Sequence, residues 1–81
     1  MSILRMQAVK FETGHKSHAS IYNAIKVGLF TTGVAIGQRS KGWPDYEVKA
    51  INAARIAGKS DADIRELVNR LHAKRTERAT A

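Results

Sequence analysis

Lys16, Lys26, Arg39 and Lys41 are the only formally charged side chains in residues 13–44, a window with no aspartate or glutamate. Its net charge is +4, and His15 and His18 lie beside the first lysine. Cations gathered on one stretch of a folded chain displace the counterions condensed on phosphate, so the chemistry they offer is polyanion binding rather than bond-making. Hydrogen-bonding side chains are interleaved with them: Ser17, Ser20, Tyr22 and Asn23 upstream, Gln38 and Ser40 downstream. Asparagine can bond adenine at two points, and hydroxyls grip phosphate or base edges. The plainer alternative is a solvated basic face with no partner.

Other chemistry finds little support. His15 and His18 have an H-x-x-H spacing, but two ligands do not make a metal site, and the chain has no cysteine to add. Asp45 and Glu47 fall where a helix begins, so capping and dipole roles outrank paired-carboxylate catalysis. No nucleophile, base and orienting group converge in the sequence. The reading is therefore a non-enzyme with no metal and no cofactor.

The 81 residues allow one small domain, whose core is marginal unless a partner adds to it. The formal net charge is +7 and the pI about 10.3. Residues 45–81 contribute only +2 and mix both signs, like an ordinary exposed helical surface. No apolar run approaches the roughly 20 residues of a membrane span, and the start, MSILRMQ, lacks the apolar core of a signal peptide. The expectation is a soluble, cytoplasmic, nucleoid-associated protein.

These groups need elements to position them. Met6 and Val9 predict a short helix ending at Thr13–Gly14. Ser17 can cap a second helix running to about Val27 and closed by Gly28. On it Ile21, Ala24 and Ile25 face the core, and Ala19, Tyr22, Asn23 and Lys26 face away. Val34 and Ile36 alternate as a short strand, Gln38–Arg39–Ser40 reads as a turn, and Lys41–Gly42–Trp43 returns, with Trp43 as anchor. A helix beginning near Pro44 and Asp45 carries Val48, Ile51 and Ala54 on its apolar side. Ala50, Ala53 and Ala57 would let another element approach closely, and Gly58 ends the helix. Ser60 and Asp63 form a capping box before Ile64, Leu67, Val68 and Leu71. Residues 1–75 thus form the domain, with a core over 3–58, a last helix over 60–75, and a flexible tail over 76–81.

Helix, turn, helix and basic hairpin describe a mostly helical α+β fold of the winged helix-turn-helix type. A helix fits the major groove, and a two-stranded wing reaches the neighbouring backbone or minor groove. The runs TGHKSHASIYNAIKVGLF, VAIGQRSKGW and PDYEVKAINAARIA resemble the AlpA family of prophage regulators, relatives of the MerR-like winged-helix excisionases. The matching positions are Thr13, Gly14, Ser20, Ile21, Tyr22, Ile25, Lys26, Gly28, Phe30, Val34, Ile36, Gly37, Arg39, Gly42, Trp43, Glu47 and Val48, and the resemblance spans about residues 3–58. Against the family pattern, the turn before Tyr22 is one residue longer. Lys16 and His18 replace arginines, and Thr31 and Gly33 replace prolines. These departures bear on base preference more than on fold.

The resemblance implies a sequence-specific DNA-binding transcriptional regulator of a prophage or other mobile element. Its expected contacts are Lys16, Ser17, His18, Ser20, Tyr22, Asn23, Lys26, Gln38, Arg39, Ser40 and Lys41. Asn23 and Ser20 would meet base edges, and Arg39 the minor groove. Double-stranded DNA is the expected partner, with integrase or RNA polymerase as protein partners. Self-association could run through the last helix or side by side on DNA. An excisionase that bends attachment-site DNA would use the same contacts. A basic RNA- or ribosome-associated protein is the alternative of another class.

Overall fold

A computed structural model describes residues 2–80, with side chains described for residues 2–76. The elements are β1 (Ile3–Arg5), α1 (Met6–Thr13), α2 (His18–Lys26), β2 (Val34–Ala35), β3 (Lys41–Pro44), α3 (Asp45–Ile56) and α4 (Asp61–Thr80). The fold is mixed α+β, with four helices and one small antiparallel sheet.

Each helix starts and stops where local chemistry directs. Gly14, at φ 76°, takes the left-handed conformation that ends α1, and its amide bonds the Lys10 carbonyl at 2.9 Å. Ser17 caps α2 by accepting the Ser20 amide at 3.1 Å. Ser60 caps α4 the same way, accepting the Asp63 amide at 3.2 Å. Pro44 differs from its expected place inside the first turn of α3. It closes β3 and serves as the N-cap, at φ −56° and ψ 134°. The residue before a helix has extended backbone, which the proline ring also permits.

The sheet holds a strand that the sequence pattern did not announce. β3 is central, with β1 on one side and β2 on the other. Ile3 pairs with Pro44, Leu4 with Trp43 and Arg5 with Gly42. Val34 pairs with Gly42 and Ala35 with Lys41. Gly42 is needed at the crossing, because a Cβ there would collide with Ile3 Cγ2 and press on Ile36. The hairpin strand is shorter than the expected alternation, since Ile36 already belongs to the tip. It still bonds across, from its amide to the Ser40 carbonyl at 3.0 Å.

One core unites the elements: Val9, Ile21, Phe30, Trp43, Val48, Ile51, Ile64, Val68 and Leu71. Trp43 is fully buried under the hairpin. Its Nε1 donates to the Thr31 carbonyl at 2.8 Å, and its ring lies 6.3 Å from that of Phe30. A buried indole N–H needs such a partner. Ala50 is half-buried, but Ala53 and Ala57 are exposed, so no element approaches them among the described residues. The backbone of α4 is helical to Thr80, past the boundary expected at residue 75. The flexible tail expected over 76–81 falls mainly on Ala81 and on side chains outside the described residues.

Candidate nucleic-acid interface

Ser17 fixes where α2 begins, and the Ile21 face fixes how it is turned. The opposite face presents Ala19, Tyr22, Asn23 and Lys26 to solvent, as the 100° periodicity requires. Lys16 and His18 are exposed at the same end. The N-terminus of α2 carries no acidic residue, so its positive pole is not offset.

The hairpin brings its tip alongside this helix. His18 and Tyr22, one turn apart on α2, share a groove of about 400 Å³ with Arg39, Ser40 and Lys41. Arg5, Met6, Gln7 and Trp43 complete its lining, and no carboxylate is among them. Two distant parts of the acid-free window therefore meet on one surface. Arg5 Nη2 donates to Ser40 Oγ at 2.9 Å and ties the hairpin tip to β1. Arg5 and Gln7 were not singled out in the sequence. Arg5 sits in a three-residue strand too short to show a period, and Gln7 lies in the first turn of a weakly patterned helix.

The remaining expected contacts lie outside the groove. Lys16, Asn23, Lys26 and Gln38 are exposed but line none of it. Ser17 Oγ is committed to its cap. Ser20 is half-buried, and its Oγ lies 2.6 Å from His15 Nδ1. The two histidines of the H-x-x-H spacing thus part company: His15 turns to Ser20, while His18 faces the groove. Among the described residues no three His, Cys, Asp or Glu side chains gather to hold a metal ion.

Away from the groove lining, α3 and α4 are joined by a charged pair that the sequence did not reveal. Glu47 is fully buried, and both its oxygens meet Arg75 of α4, from Nε at 2.7 Å and from Nη2 at 2.5 Å. Asp45 fits the first-turn role expected of it, with its carboxylate accepting from Ser2 Oγ at 3.2 Å and lying 4.0 Å from Lys49. For Glu47 that expectation was incomplete, because the partner is 28 residues away in sequence. Thr31, where the family resemblance implies a proline, is also buried, and its Oγ1 has no hydrogen-bond partner.

Fold and site define a small mixed α+β domain with one basic, acid-free groove between a helix and a hairpin. The family model described as prophage CP4-57 regulatory protein (AlpA) matches residues 2–55, which is 54 of the 81 residues. The chain belongs to the AlpA family of prophage regulatory proteins. The matched span runs from β1 to near the end of α3, and α4 lies beyond it. No curated protein and no solved structure matches the chain. Among the described residues no helix is long and apolar enough to cross a membrane.

Proposed function

We propose that this prophage regulator works by binding specific duplex DNA as a winged helix-turn-helix. In this reading α2 enters the major groove, and the hairpin tip is the wing on the adjacent backbone or minor groove. The observation that carries the reading is the acid-free groove where His18 and Tyr22 of α2 meet Arg39 and Lys41 of the hairpin. An arginine at a hairpin tip is drawn to the negative potential of a narrow minor groove. Lys16, Lys26 and Lys41 are exposed and free to neutralise phosphates. Asn23 is exposed one residue along from Tyr22, where it would read a base edge. Ser17 would contribute through its backbone amide at the helix start, since its hydroxyl caps the helix by taking the Ser20 amide and the Ser20 hydroxyl is bonded to His15. The regulated gene would be an integrase or excision gene of the element.

Reading and positioning separate experimentally. Asn23→Ala is expected to lose about 1–3 kcal/mol on a cognate site and to relax preference at one base position. Lys26→Ala should weaken all sequences alike and lower the salt slope by about one. Both variants are compared on cognate and scrambled duplexes across a salt series. Equal losses for Asn23→Ala on both duplexes would rule out direct readout and leave specificity to the wing or to DNA shape.

A further inference from the structure

α4 is tied to the C-terminal end of α2 and to the root of the hairpin by side chains from one rigid helix. Arg65 Nε donates to the Val27 carbonyl, just past α2, at 2.8 Å. Two turns further on, His72 Nε2 accepts the Thr32 amide at 3.1 Å. Arg75 then donates from Nη2 to the Thr32 carbonyl at 2.7 Å and from Nη1 to Thr32 Oγ1 at 3.2 Å. Val27 follows the last residue of α2, and Thr32 lies two residues before β2. The short link between helix and hairpin is therefore held at both ends. The holding residues span about 15 Å of helix, at about 1.5 Å per residue.

We infer that α4 acts as a ruler fixing the spacing between α2 and the hairpin, with Arg65, His72 and Arg75 as positioning residues for DNA binding. The inference rests on the DNA-binding reading above. Two contacts made by one molecule reinforce each other only when geometry lets both engage at once. Helix and wing must reach neighbouring features of the duplex together, and the link between them is an irregular segment with little structure of its own. An element beyond the family-matched span supplies the rigidity.

The tie at His72 is switchable. Its Nε2 accepts a hydrogen bond only when unprotonated. Burial first, and then the Arg75 cation, hold its pKa below the ordinary value of 6.5, with Glu47 of α3 acting in opposition. The link contributes only the uncharged Thr32 at this point. Because the folded pKa is depressed, the tie is fully present above the ordinary value and is lost as pH falls through the lower, folded one.

Amide resonances of the free protein test the ruler without DNA. His72→Ala removes no charge at about pH 8. It is expected to shift and deprotect the amides of Thr32 and Gly37–Ser40 while leaving Ala19–Ile25 in place. In the wild type the Thr32 amide should move as pH falls below the ordinary histidine value of 6.5. His72→Gln, which keeps an acceptor but cannot protonate, should abolish that movement. Affinity for a fluorescent mixed-sequence duplex at about pH 8 should fall about fivefold in His72→Ala and recover in His72→Gln. Hairpin amides that stay fixed in His72→Ala overturn the ruler. So does an affinity that stays fixed while they move. If the wild type binds no duplex, the DNA-binding reading falls, and the amides alone decide whether α4 sets the hairpin.

Discussion

Arg75→Met is expected to cost about 3–5 kcal/mol of stability, a large share of the roughly 5–15 kcal/mol that holds a small domain together. The cause is Glu47. Its carboxylate is fully buried and both oxygens are met by Arg75. Removing the guanidinium leaves that charge without its partner in a low-dielectric site, and also strips Thr32 of two donors. The double variant Glu47→Leu/Arg75→Met should recover most of the loss, because an apolar pair of similar volume avoids the desolvation of two ions. Urea melts of the two single variants and the double variant measure this directly. A single Arg75→Met within about 1 kcal/mol of wild type would mean that Glu47 has another route to solvation.

Binding to duplex DNA should weaken several hundredfold between about 50 and 200 mM salt. Each phosphate neutralised adds about 0.9 to the log–log slope, and the exposed cations of α2 and the hairpin allow about five such contacts, hence a slope of about −4 to −5. Lys16, Lys26, Arg39 and Lys41 supply most of that charge, and Arg5 joins them at the groove. Fluorescence anisotropy across a salt series reads the slope. A slope near zero would mean that the acid-free surface does not meet the phosphates.

The helices were legible because each carries its own signals. Ser17 and Ser60 cap, Gly14 and Gly28 close, and Ile21, Ile64, Val68 and Leu71 repeat at helical spacing. Trp43 as a buried anchor was legible from its place beside a turn. β1 was not, because three residues cannot display alternation and its partner is some 40 positions away. Separation in sequence likewise hid Arg5 at the groove, 35 residues from Ser40, and the Glu47–Arg75 pair, 28 residues apart. A carboxylate in a first helical turn and an arginine near a helix end each have a sufficient local explanation, so nothing in the sequence asks them to meet. Ser20 looked available for base contact, and only the fold shows His15 bonded to it. What the linear pattern lacks throughout is the tertiary partner.

Arg39→Ala, assayed for duplex affinity per folded molecule at fixed salt, decides whether the groove between helix and hairpin binds DNA. Arg39 is exposed at the hairpin tip, lines the groove shared with α2, and belongs to no core contact. Affinity is predicted to fall by about 1–3 kcal/mol, with the thermal midpoint nearly unchanged. Unchanged affinity, or a loss explained entirely by unfolding, would contradict a DNA-binding role for the groove between helix and hairpin.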